Sequence, residues 1–286
     1  MPKIPPPPPS PPVPPPPLDW MQLRSRLYTG TTTHTEGEDS KYLTYQFSPR
    51  RYKTLELMHL TDLQYGHRQF DETRFLEYRR WLLDEPQRFV VLGGDLVDSA
   101  TRLSVGSPYD NTSEPRTQVT GVCDLLHPLQ PRILGYVGGN HERRALPTFG
   151  DLGHLIAEKL SIPYSRGKQY IDLHYGSHAP FKVSLWHGGG AARTKGSKAQ
   201  MLHRFMGEGD SQLYLVGHLH DAMLLWDWRP ERHDGKIVFR KLAGIMSSSF
   251  LRYWNTYAEE AGLSPSDTMM ARVVLAPSGH WEVTLR

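Results

Sequence analysis

Phe89-Val90-Val91-Leu92-Gly93-Gly94-Asp95-Leu96-Val97-Asp98 is the stretch whose reading decides the fold. Four apolar residues run without polar alternation, so both faces of the segment need cover, as in a buried strand of an α/β sheet. Two glycines then stop the run and permit a tight turn, and carboxylates follow at once. The pattern recurs along the chain. Leu55 to Leu60 runs into Thr61-Asp62-Leu63-Gln64, and Arg132 to Val137 into Gly138-Gly139-Asn140-His141-Glu142. Phe181 to Trp186 runs into His187-Gly188, and Gln212 to Val216 into Gly217-His218-Leu219-His220.

Between these runs the apolar period changes from strand to helix. Phe70 to Leu83 carries Phe70, Phe75, Tyr78 and Leu82 at helical spacing, and Val119 to Leu126, Leu152 to Leu160 and Lys198 to Met206 also read as helices. After residue 220 the segments Met223–Trp228, Lys236–Leu242, Met270–Leu275 and Trp281–Leu285 read as strands. Alternating strands and helices followed by strands predict an α/β fold over 54–286, a layered sandwich of central mixed β-sheets flanked by helices.

Two segments precede that domain. Residues 1–18 form a proline-rich arm whose composition predicts an extended polyproline II rod with nothing to bury, a solvated spacer or a ligand for an aromatic groove on a partner. Residues 19–53, polar with scattered Trp20, Tyr28, Tyr42 and Tyr45, read as an irregular lead-in. The 286 residues carry a formal charge of +3, compatible with an anionic substrate and well short of a nucleic-acid-coating protein. A single cysteine, Cys123, excludes an internal disulfide and fits a reducing compartment. No apolar run is long enough to span a bilayer, and prolines stand where a signal peptide needs an apolar stretch, so a cytoplasmic, intracellular protein without membrane contact is expected.

The polar residues at the strand ends carry the chemistry. Ligand sites of open α/β sheets lie outside the carboxyl ends of strands, so the loops bring all five clusters to one rim. Carboxylate, amide and imidazole donors together suit Mn, Fe or Zn better than Ca, and the lack of thiolate argues against a structural zinc site. His218 and His220, two residues apart at a strand end, point the same way.

In this order the clusters resemble the calcineurin-like metallophosphoesterase superfamily, whose motifs run D-x-H, G-D-x-x-D, G-N-H-[ED], H and G-H-x-H. The resemblance spans about 62–220 and implies a four-layer α/β/β/α fold and two divalent metal ions, with Mn foremost and Fe, Zn or Mg as alternatives. It implies that Asp95 bridges the two ions, that Asp62, Gln64 and His220 complete one site, and that Asn140, His187 and His218 complete the other. His141 would protonate the leaving oxygen, oriented by a carboxylate, Asp98 or Glu142. Gln64 departs from the family's usual histidine and implies weaker binding at the first metal. The tail around Tyr257–Leu263 resembles phage-encoded and related bacterial members.

The function so implied is hydrolysis of a phosphate ester, a phosphodiester in nucleic acid or a nucleotide, by a dinuclear site that activates a bridging hydroxide. A phosphomonoesterase or protein phosphatase, or a non-catalytic scaffold with a degenerate site, are the competing readings. Arg143 and Arg144 can bind the substrate phosphate as guanidinium forks or stand as surface arginines of a first helical turn. His67, three residues beyond Gln64, is a further candidate for lining the pocket. Ser247 to Tyr257 reads either as a nucleotide-binding lip or as a packed amphipathic helix, and His59 as a strand residue without a role in the site.

Overall fold

The computed structural model describes residues 19–36, 39–101, 104, 107–260, 262 and 265–286; the proline-rich arm at 1–18 and part of the tail 257–263 lie outside them. The strands are β1 (Thr29–Glu36), β2 (Asp39–Phe47), β3 (Leu55–Leu60), β4 (Arg88–Leu92), β5 (Ile133–Val137), β6 (Tyr164–Ser165), β7 (Lys168–Tyr175), β8 (Phe181–Trp186), β9 (Leu213–Val216), β10 (Met223–His233), β11 (Lys236–Met246), β12 (Ala271–Leu275) and β13 (Trp281–Leu285). The helices are α1 (Trp20–Leu27), α2 (Glu72–Asp84), α3 (Pro115–Leu126), α4 (Asn140–Arg144), α5 (Leu146–Phe149), α6 (Leu152–Leu160), α7 (Lys195–Met206) and α8 (Tyr257–Glu260).

Two mixed sheets result. One has seven strands in the order β1-β2-β7-β8-β9-β11-β10, the other six in the order β13-β12-β3-β4-β5-β6. Their apolar faces form three stacked clusters. Leu57, Phe89, Val91 and Val273 of the six-stranded sheet meet Leu43, Ile171, Val183, Leu213 and Ile245 of the seven-stranded sheet between the two. On the outer face of the six-stranded sheet, Met58, Leu60, Val90 and Leu92 pack on Phe75, Leu82, Val122, Leu126, Ile156 and Leu160 of α2, α3 and α6. On the outer face of the other sheet, Tyr214, Val216 and Met246 meet Leu202, Phe205 and Met206 of α7. The layers therefore run α/β/β/α, and strands covered on both faces explain the uninterrupted apolar runs.

The lead-in is not irregular. Residues 20–47 form α1, β1 and β2, and β2 joins the larger sheet parallel to β7 with Tyr42 opposite Tyr170 and Phe47 opposite Tyr175. The cause is a period of two: Leu43, Tyr45 and Phe47 are each at most 1% exposed and face the other sheet, while Thr44 and Gln46 point away. Residues 247–256 contain no helix either; Phe250 is buried in the outer core while Arg252 and Trp254 stay exposed.

Register sets the site. Leu60 pairs with Leu92, and Val216 with Trp186 and Met246, so β3 and β4 end level in one sheet and β8 and β9 in the other. Among the described residues no helix is long and apolar enough to cross a membrane. Cys123 is buried in the core, where burial pushes its thiol up to about 11 and leaves it inert.

Candidate metal centre

Each loop that leaves these strand ends bends sharply. Asp62, Gln64, Asp95, His218 and His220 all adopt positive φ, between 48° and 68°, a region that non-glycine residues enter at a cost. Tertiary contacts hold them there. The Asp62 N–H donates to the Gly94 carbonyl at 2.9 Å and the Gln64 N–H to the Asp95 carbonyl at 2.9 Å, lacing the first loop to the second. Gly139 and Gly217 are glycines because the loops touch. A Cβ on Gly139 would lie 1.9 Å from Asp95 Oδ1, and one on Gly217 would lie 2.4 Å from Asp62 Oδ2.

The donors form two joined groups. In the first, His220 Nε2 lies 3.1 Å from Asp62 Oδ1 and 3.2 Å from the Gln64 amide. In the second, His187 Nε2 lies 3.2 Å from Asp95 Oδ2 and 3.0 Å from Asn140 Oδ1. The His218 ring centroid is 5.1 Å from that of His187, and Asp95, His187 and His218 each offer a donor atom within 4.8 Å of the others. His141 stands between the groups, its Nε2 3.4 Å from the Gln64 amide and 3.6 Å from Asp95 Oδ2. Asp62, Gln64, Asp95 and Asn140 come from the loops of the six-stranded sheet, and His187, His218 and His220 from those of the seven-stranded sheet.

His187 Nδ1 donates to the Gly93 carbonyl at 2.8 Å, and its Nε2 faces the two acceptors Asp95 Oδ2 and Asn140 Oδ1. His218 Nε2 is likewise spent on the Gly190 carbonyl at 2.8 Å, which leaves Nδ1 as its free nitrogen. Asp62 and Asp95 are at most 1% exposed, and unpaired buried carboxylates are costly. Burial alone would raise the Asp95 carboxyl; His141 and His187 hold it well below the usual range. Burial opposes charge on His187, but Asp95 outweighs it and pushes the imidazole up to about 9. The cluster thus attracts positive charge, and its oxygen and imidazole donors without thiolate fit divalent ions of the Mn, Fe, Zn or Mg kind. A half-turn of the Gln64 amide would present its carbonyl oxygen to the same space.

The proposed acid and its neighbours divide their tasks. His141 Nδ1 faces Asp98, 2.8 Å from its carbonyl and 3.2 Å from its carboxylate Oδ1. Burial disfavours the imidazolium, yet Asp95 and Asp98 prevail and raise the His141 pKa. Glu142, the other candidate for orienting His141, is turned elsewhere. Its carboxylate accepts from the backbone N–H groups of Asp95 at 3.0 Å, Leu96 at 2.6 Å and Gly139 at 2.9 Å, so it clamps the loop that carries Asp95. Nothing in residue type could reveal this, because Glu142 follows His141 in the chain but points to the opposite side.

The two arginines part company. Arg144 NH2 donates to the Asp98 carbonyl at 2.5 Å and lies 3.6 Å from Asp98 Oδ1, a supporting position behind His141 rather than one facing substrate. Arg143 is exposed, with no side-chain partner among the described residues. His67 sits near Asp98, Asp110 and His141, with Nδ1 accepting from the Gln69 N–H at 3.0 Å, and burial lowers its pKa. Supports that the sequence reading missed are Thr61, whose hydroxyl donates to Asp62 Oδ2 at 2.5 Å, and Ser99, whose hydroxyl donates to the His141 carbonyl at 2.5 Å. His59 is wholly buried behind the site, 2.9 Å from the Ser247 hydroxyl, and burial takes its pKa down to about 3.

No protein-family model matches the sequence. No curated protein matches it either. Among solved structures, the phosphoesterase Yfce from E. coli is similar at 13% identity, covering 80% of this chain and 98% of its own, with a TM-score of 0.43. A metallophosphoesterase from Sphaerobacter thermophilus is similar at 16% identity, covering 82% and 87%, with a TM-score of 0.40. The nuclease MPE of Pseudomonas putida is similar at 13% identity, covering 80% and 87%, with a TM-score of 0.34. The functional reading therefore rests on the side chains themselves.

Proposed function

We propose that this chain is a metal-dependent hydrolase of phosphate esters, acting on a phosphodiester. One observation carries the reading: two buried carboxylates, two side-chain amides and three imidazoles converge around His141. In the assignment we favour, Asp62, Gln64 and His220 would hold one divalent cation and Asn140, His187 and His218 a second, with Asp95 available to both. When bound, such cations supply Lewis acidity toward phosphoryl oxygens and toward water.

The chain's own residues do the rest. His141, whose protonated form Asp95 and Asp98 favour, is placed to give an Nε2 proton to the departing ester oxygen. Asp98 fixes the ring through Nδ1, and Arg144 holds Asp98 from behind. Diester preference follows from charge: with Arg144 engaged and Arg143 turned to solvent, few cationic side chains remain for the second charge of a monoester, about −1.5 to −2 at neutral pH. The experiment is hydrolysis of bis-p-nitrophenyl phosphate and p-nitrophenyl phosphate by purified protein in Mn, with chelated protein and Asp95→Asn as controls. Metal-dependent turnover that favours the bis-ester supports the reading, and absence of turnover of both esters at saturating Mn refutes it.

A further inference from the structure

Leading away from the metal centre, residues 64–71 form the middle of a three-segment apron. On one side, His67 bridges Asn111, and the Arg68 N–H donates to the Asp110 carbonyl at 2.9 Å. Tyr109 therefore lies two residues from the bridge partner of His67. On the other side, Phe70 bridges Leu251, and the Arg252 N–H donates to the Gln69 carbonyl at 3.0 Å. The same strip is tied into the site, because the Phe250 N–H donates to the Asp62 carbonyl at 3.0 Å.

The apron has a packed floor and two open aromatic rings. Tyr65, Phe70, Phe75 and Phe250 pack in sequence beneath it, edge to face at either end and tilted between Phe70 and Phe75, with centroids 5.6 to 6.2 Å apart. At its outer end Tyr109 is 94% exposed and Trp254 is 67% exposed. Tyr109 is held by a short turn in which its N–H donates to the Ser107 hydroxyl at 3.2 Å. Trp254 is braced by Tyr253, with rings 5.2 Å apart. From Gln64 to Gln69 is at most about 17 Å of chain, so the platform lies within reach of an extended group on a phosphate bound at the donors.

Charge narrows the ligand. Arg68 is paired with Asp110 at 3.0 Å and Arg252 with Asp71 at 3.1 Å, so the apron has no net basic character. A groove that tracks a long phosphate backbone needs unpaired cations, whereas stacking needs only a flat ring.

We infer that Tyr109 forms a stacking subsite for a nucleobase, so that the substrate is a small nucleotide-type phosphoester. This rests on the phosphoesterase reading above and adds the group that the substrate carries. Stacking of a base on an aromatic side chain is worth about 5- to 100-fold in affinity.

The test is calorimetric titration of Mn-loaded protein with adenosine 5′-monophosphate and with ribose 5-phosphate, which differ by the base alone. The expected result is roughly tenfold tighter binding of the nucleotide, within that stacking range. Tyr109→Ala should bring the two affinities together, and Tyr109→Phe should restore the difference. Equal affinities in the unmodified protein, or a preference that Tyr109→Ala leaves intact, overturn the inference. A preference lost in Tyr109→Ala by a protein that hydrolyses no ester would sink the hydrolase reading while sparing the subsite. Ester hydrolysis without a base preference would do the reverse.

Discussion

Gly139→Ala isolates the packing of the loops from the chemistry of the donors. Gly139 has φ −94° and ψ −178°, which alanine adopts without strain, so the added methyl acts only by its volume. It would lie 1.9 Å from Asp95 Oδ1 and 2.3 Å from the Asp95 nitrogen, where real Cβ contacts stay beyond 3.0 Å. Asp95 must retreat by about 1 Å, and the bonds from its N–H to Glu142 and from its carboxylate to the His141 N–H, at 3.0 and 2.8 Å, cannot both survive. A displacement of that size at a reacting centre costs about 10²-fold in rate. Overpacking of this kind costs about 1–3 kcal/mol of stability, at roughly 2–4 °C of Tm per kcal/mol in a chain of this size. Metal stoichiometry, bis-p-nitrophenyl phosphate turnover and a thermal melt report the three consequences. Gly196→Ala is the control: an added Cβ meets nothing within 4 Å on the exposed side of α7, and helix propensity should gain up to about 1 kcal/mol. A Gly139→Ala protein with full metal content and turnover within about twofold of the parent would refute the close contact of these loops and the reasoning built on it.

Three further outcomes are expected. His141→Ala should keep its metal while slowing esters with poor leaving groups by about 10²–10⁴-fold, and good leaving groups far less; equal slowing across a leaving-group series removes the acid role. Asp71 caps α2 through the Arg74 N–H at 3.1 Å and pairs with Arg252, which holds its carboxyl below the usual range, so Asp71→Ala should cost about 1 kcal/mol at neutral pH. A depressed folded pKa contributes stability above the unfolded value of about 3.9 and loses it as pH falls through the folded value, so parent and variant melts should converge in acid. Lys198 and Lys195 both reach Asp221, beside His220, but the Lys198 side chain is 5% exposed and that of Lys195 is 62%. Lys198→Met should therefore destabilise by about 3 kcal/mol or more, and Lys195→Met by less than about 1 kcal/mol, as chemical denaturation would show.

The strands that build the rim were legible because burial on both faces writes a local signal. Phe89 to Leu92 is an apolar run stopped by glycine, Phe181 to Trp186 carries Phe181, Val183 and Leu185 in alternation before His187, and β4 and β8 begin and end within a residue of those segments. β7 was not read, although Ile171, Leu173 and Tyr175 alternate inward, because polar Gln169 and Asp172 are buried among them. The Gln169 amide N–H donates there to the Ser40 carbonyl at 2.8 Å, a partner from β2 that no local window contains. β2 itself was missed for the same reason, since its three inward residues gain meaning only from the sheet they face. Within the centre, the identity of the donors was readable from residue type and position. The directions of Glu142 and Arg144 were not, because a side chain's target depends on loops distant in sequence.

The donors of the centre are drawn from both halves of the sandwich, and this has a mechanical consequence. Any cation gripped by Asp95 and His187 together is a rivet through two sheets joined mainly by apolar contact and a few hydrogen bonds. At a hundred times its dissociation constant, such a ligand adds about 2.7 kcal/mol to the folded state. Chelation should then loosen first the rim where β3, β4, β8 and β9 end, and amide exchange would speed up there before it does at the far end of the same strands.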